Sequence, residues 1–134
     1  MELELIRAGT RAESNGDGEK LDVSASLTRT FLCTLAITDQ LEQESLDISI
    51  WGSADGENWG TKPLLKLPQR FYCGETKSIL DLTPRTEVKF IRPRWELNRW
   101  GRVAPTPMFE FGLRLREIPA MMKGSAARLG ALAS

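Results

Sequence analysis

Phe109-Glu-Phe-Gly-Leu-Arg-Leu115 puts a large apolar side chain at every odd position and a charged or small residue at every even one. In an extended chain successive side chains point to opposite faces. Phe109, Phe111, Leu113 and Leu115 therefore form one apolar face, and Glu110, Arg114 and Arg116 lie on the wet one. The same period recurs over residues 31–38, where Phe31, Cys33, Leu35 and Ile37 alternate with Leu32, Thr34, Ala36 and Thr38. The threonines mark the second set as the outward one. Over residues 46–51, Leu46, Ile48 and Ile50 point one way and Asp47, Ser49 and Trp51 the other. Half-buried strands of this kind predict antiparallel sheets with one face on a core.

Shorter apolar runs at 2–7, 20–24, 63–67, 71–74 and 78–82 predict further strands. Leu3 and Leu5 carry the first, Leu21 and Val23 the second. The polar stretch 9–19 predicts an exposed loop, and 39–44 an acidic linker. Ser53-Ala-Asp-Gly56 and Thr83-Pro-Arg85 predict turns, and Gly101, Pro105 and Pro107 mark 98–107 as a loop. Pro63 and Pro68 place the strand between them at a sheet edge, because proline cannot donate to a ladder. The longest candidate, 88–97, contains Pro93, which predicts a bulge or an edge there too. Eight or nine short strands, with no amphipathic helix before residue 120, predict an all-β fold: an antiparallel, jelly-roll-like β-sandwich.

That domain spans residues 1–119. Residues 120–134 are Ala/Gly-rich, with Met121, Met122, Leu129 and Leu132 as the large apolar side chains, and read as a C-terminal tail that is either disordered or docks on a neighbour. No run approaches the roughly 18–20 apolar residues of a membrane span. No secretory signal precedes the first strand, so the expectation is cytoplasmic, with virion association compatible. Cys33 and Cys73 each sit in an apolar run and read as buried small hydrophobes; a disulfide between them would require export. The net charge is zero, but residues 1–60 hold 4 basic and 12 acidic side chains, whereas 61–134 hold 14 and 6. This yields either opposed faces for head-to-tail association or, if early and late strands interleave, a mixed surface.

From 46 to 95 the pattern resembles discoidin-like, galactose-binding-like β-sandwiches. The residues that carry it are the strand Asp47-Ile-Ser-Ile-Trp51, the turn Ser53-Ala-Asp-Gly-Glu-Asn-Trp59 and the strand Lys89-Phe-Ile-Arg92. Similar arrangements occur in β-sandwich domains of bacteriophage virion proteins. The resemblance implies a fold, with Trp59 turned back over the end of the sandwich. It carries over no sugar- or lipid-binding residue, because the loops that bind ligand in that family have no counterpart here.

The chain has no histidine, which removes Ser-His-Asp and Cys-His catalysis, histidine-ligated metals and the commonest general base. No glycine-rich phosphate loop precedes a helix, and Asn15-Gly-Asp-Gly-Glu19 is only a fragment of a calcium loop. The expectation is a non-enzymatic protein with no catalytic residue, metal or cofactor.

Residues 92–102 are the most distinctive: Arg92, Arg94, Trp95, Arg99, Trp100 and Arg102 put four arginines and two tryptophans in eleven positions. These side chains dominate interface hot spots. They read either as a tryptophan-capped core end with solvated arginines or as an interface, most simply between copies of the chain within an assembly or larger particle. Exposed tryptophans, Trp51 and Trp100, offer the alternative of a carbohydrate platform. Nucleic acid ranks last for a neutral chain of pI about 6.3.

Overall fold

Each alternating strand has an apolar side that must be covered, and the chain covers these sides with one another. The computed structural model describes residues 1–41, 44–99 and 107–119. Among them are β1 (Glu2–Ala12), β2 (Gly16–Asp17), β3 (Leu21–Asp22), β4 (Thr30–Gln40), β5 (Glu44–Ser53), β6 (Leu65–Lys66), β7 (Gly74–Asp81), β8 (Phe90–Arg99) and β9 (Phe109–Glu117). One sheet runs β1-β9-β4-β7; the other runs β2-β8-β5-β6, with β3 beside β2 on the same flank of β8. All pairings are antiparallel, and the architecture is a β-sandwich with no helix among the described residues.

The core is what the alternation predicts. Phe31, Cys33, Leu35 and Ile37 of β4, Leu46, Ile48 and Ile50 of β5, and Phe109, Phe111, Leu113 and Leu115 of β9 are all buried. Between the sheets they meet Leu5, Val23, Leu80 and Ile91. Two polar devices close the end where β9 finishes. Glu117 accepts from the Ser26 hydroxyl and from Thr28 N–H (3.0 Å), and these bonds hold its carboxyl down to about 2. Arg29, at φ 55°, donates through Nη2 to the carbonyls of Arg85 (2.8 Å) and Val88 (2.9 Å), fastening the 82–88 turn.

Four sequence expectations change. The strand expected at 2–7 runs on to Ala12, into the stretch expected to loop. Its pairing with β9 shifts between Glu4 and Ile6 and again between Ile6 and Thr10. These bulges bury Leu5 and Ile6 together and erase the period of two from the sequence. Within the same stretch, Gly16–Asp17 forms β2, and Asn15 Oδ1 accepts from Leu97 N–H (2.7 Å), so the calcium-loop fragment is a strand margin. The runs 71–74 and 78–82 become a single strand, β7; Phe71 and Tyr72 lie outside it, exposed.

Pro93 sits at neither an edge nor a bulge, because β8 has partners on both sides and its register with β5 is unbroken. Its partner Ile50 gives its carbonyl to Leu64 N–H (2.7 Å) on the far side of β5, so the Ile50–Pro93 pair exchanges no ladder bond. The missing N–H of Pro93 faces the gap between β2 and β3, while its carbonyl accepts from Gly18 N–H (2.9 Å).

Cys73 is the fourth correction. Cys33 is buried and Cys73 is exposed ahead of β7, both as free thiols; Cys33 pairs with Ser78, well away from Cys73. Burial pushes the Cys33 thiol up to about 12, which leaves no thiolate to react near neutral pH. Titration of the native protein with a thiol reagent is expected to label one cysteine rapidly, with the second appearing only on unfolding. Two fast thiols would place Cys33 outside the core.

Candidate interaction surface

The outer face of the five-stranded sheet is built by parity. With Leu46, Ile48 and Ile50 inward, β5 shows Asp47, Ser49 and Trp51 to the outside. On β8, Ile91, Pro93 and Leu97 are buried, so Arg92, Arg94 and Glu96 face outward. Antiparallel register brings these sets together as Trp51 opposite Arg92, Ser49 opposite Arg94 and Asp47 opposite Glu96.

Trp59 joins them from a distant loop. Ser53 Oγ accepts from the N–H groups of Asp55 (3.2 Å) and Gly56 (2.9 Å) and donates to Asp55 Oδ1 (2.8 Å). The same Asp55 oxygen accepts from Glu57 and Asn58 N–H, both at 2.8 Å. Those bonds draw the Asp55 carboxyl down to about 2. Gly56 takes φ 80°, a conformation that side chains resist, and its carbonyl accepts from Lys20 Nζ (3.3 Å). The turn delivers Trp59 onto β8, where the Arg92 guanidinium lies 4.5 Å from its ring centroid.

The Arg94 guanidinium lies 5.9 Å from the Trp51 ring, whose Nε1–H donates to Ser49 Oγ (2.9 Å). Trp59, Arg92, Trp51 and Arg94 thus form a row of alternating rings and guanidinium groups along the sheet. Arg92 Nε is buried without a hydrogen-bond partner, with the guanidinium over the Trp59 ring. Arg94 reaches Glu96 at 3.8 Å, an exposed ion pair of small energetic weight.

Of the six arginines and tryptophans of 92–102, the four that are described do not share one face. Arg92 and Arg94 lie on the outer face. Trp95 turns inward: its ring meets Phe111 edge-on at 5.8 Å, its Nε1–H donates to Ser14 carbonyl (3.2 Å), and a Cβ added at Gly16 would come within 3.0 Å of it. Arg99 sits opposite Glu44 with Nε and Nη2 buried and unpartnered. Trp100, Arg102 and the tail 120–134 lie outside the described residues. Trp59 was not among the sequence candidates, since only the folded turn carries it to the arginines.

The charge imbalance along the chain is interleaved by topology. Glu2 and Glu4 of β1 pair with Arg116 and Arg114 of β9, and Arg11 reaches Glu110 at 3.8 Å. Among the described residues no three His, Cys, Asp or Glu side chains gather as a metal site requires.

No protein family and no curated protein sequence matches the chain. By structure it is similar to a chain in the structure of infectious bursal disease virus Gx strain, with TM-score 0.52 and 7% sequence identity. The likeness covers 86% of this chain and 31% of the viral one, so the present chain spans less than a third of that protein's length. At this identity the likeness is one of fold alone.

Proposed function

We propose that this chain is a jelly-roll structural subunit that works through protein–protein contact, joining copies of itself or a larger particle by the outer face of its five-stranded sheet. The row Trp59, Arg92, Trp51 and Arg94 carries this reading. Stacked guanidinium groups and indoles are ordered before binding, so a partner gains large contact area at low cost in side-chain entropy.

Two further observations support it. Counting β2 and β3 as one flank, the order β1-β9-β4-β7 against β2-β8-β5-β6 is that of an eight-stranded double Greek key, an architecture common to viral capsid and lectin domains. The fold likeness to a chain of a virus structure favours the first of those uses, and with it association with a virion. A lectin-type role needs a free aromatic plane; the indole N–H of Trp51 is committed to Ser49 and its ring is approached by Arg94.

Arg94 is exposed, so Arg94→Glu leaves the core untouched and reverses one charge in the row. Sedimentation equilibrium is expected to show self-association weakened by about 2 kcal/mol, roughly thirtyfold in Kd. High salt is expected to weaken the wild type in the same direction. An unchanged Kd in a folded Arg94→Glu protein would overturn the assignment of this face.

A further inference from the structure

We propose that the free edge of β7 is a second contact surface, at which β7 pairs antiparallel with β7 of a second copy about a two-fold axis at Ile79. The proposal rests on the assembly reading above but concerns a different strand, on the other sheet.

An unpaired edge is a hazard that folds blunt with bulges, prolines or very short strands. Among the described residues three of the edges carry such guards. β1 is broken by two register shifts, β6 is two residues long between Pro63 and Pro68, and β2 and β3 are two residues each. β7 carries none of these three and is guarded by charge alone, at Glu75, Lys77 and Asp81: it runs eight residues without proline, in unbroken register with β4 from Thr30–Asp81 to Ile37–Gly74.

The direction of its free groups follows from β4. Thr30 gives its carbonyl to Ile118 on the β9 side (2.9 Å), whereas Arg29 gives its carbonyl to Leu82 on the β7 side (2.7 Å). Alternation then turns the even residues of β7 toward β4, and the N–H and C=O groups of Glu75, Lys77 and Ile79 away from it, to a side where no described strand lies. The side chains of Lys77, Ile79 and Asp81 lie on the outer face of the sheet, and Ile79, the large apolar side chain among them, is 49% exposed.

Self-complementarity selects the occupant. Read along the outer face, β7 presents Lys77, Ile79 and Asp81: positive, apolar, negative. Reversed on a second copy with Ile79 on the axis, the order becomes Lys77 opposite Asp81, Ile79 opposite Ile79, and Asp81 opposite Lys77. Facing residues in this register also present outward backbone groups to each other, and Lys77 comes to an Asp81 carboxylate whose Oδ1 is already held by Thr83 N–H (3.0 Å) and the Thr30 and Thr83 hydroxyls. Registers centred on Glu75 or Lys77 set like charges against each other. The product is one continuous eight-stranded sheet across the two copies, an isologous contact.

The test uses the full chain and two variants. Light-scattering mass of Ile79→Lys, which places two cations on the axis, is expected to fall below the wild-type value, with the circular dichroism unchanged. In the second variant, Ile79→Cys is combined with Cys73→Ser; facing residues of such a pair lie about 5.5 Å apart at Cα, within disulfide reach, so mild oxidation is expected to yield a covalent dimer. An oligomer whose mass Ile79→Lys leaves unchanged, with no cross-link at position 79, would overturn β7 pairing while leaving the Arg94 face standing. A wild-type chain of 15.0 kDa at all concentrations would overturn self-pairing altogether.

Discussion

Replacing Phe111 with alanine is expected to remove about 4 kcal/mol of stability, near the upper end for a single buried side chain. Phe111 is fully buried in β9, a strand flanked by β1 on one side and β4 on the other. Its ring also takes the edge of Trp95 at 5.8 Å, so it joins the two sheets as well as filling the space between them. Its neighbours on β4 and β8 are held by ladders on both sides and cannot close into the vacated volume, which keeps the cavity cost high. The midpoint of urea unfolding is expected to fall sharply with an unchanged slope, and Tm by roughly 15 °C. A loss below about 1.5 kcal/mol would mean that Trp95 swings in to refill the site.

The second large effect comes from a carboxyl group. Glu44 opens β5 and is buried. Its two oxygens accept from Met108 N–H at 3.0 and 3.4 Å, and Oε2 also accepts from Leu41 N–H at 3.1 Å. It therefore ties the start of β5 to the corner where the β4–β9 ladder ends, with Gln40 opposite Phe109 and Leu41 N–H on the Met108 carbonyl. In Glu44→Ala the buried Met108 N–H loses its acceptor, while Leu41 N–H keeps the Met108 carbonyl at 3.3 Å. The expected cost is about 2.5 kcal/mol, with loss of hydrogen-exchange protection at Met108. Glu44→Gln keeps one acceptor oxygen and is expected to cost about half as much. If water replaced the carboxyl in Glu44→Ala, the loss would fall below about 1 kcal/mol.

Both predictions concern residues whose weight is unevenly visible in sequence. Phe111 stands in the cleanest alternating run of the chain, and its burial follows from that run alone. Glu44 lies in what reads as an acidic linker, where nothing separates it from the solvated Asp39. Its role comes from the return of Met108, sixty-four positions later, to the same corner of the sandwich.

The arginine and tryptophan cluster shows the same division. Composition picked out residues 92–102, and parity then divided them: even positions Arg92 and Arg94 to the outer face, odd position Trp95 to the core margin. Parity can be counted in sequence only when one strand face is known to be buried. In β8, Pro93 obscured that, since the discontinuity between β2 and β3 that accommodates it belongs to other parts of the chain.

What the sequence by itself determined was the all-β class, the inward faces of β4, β5 and β9 and the edge placement of β6. Each is written in a local period of two or in proline's missing donor, and needs no knowledge of the neighbouring strand. Only the tertiary structure decided the bulged course of β1, the exposure of Cys73, the meeting of Trp59 with Arg92, and which long edge of the sandwich runs without bulge or proline. These depend on which strand lies beside which, and strand neighbours are chosen by the burial of the whole apolar surface at once, a sum over distant residues that no local stretch records.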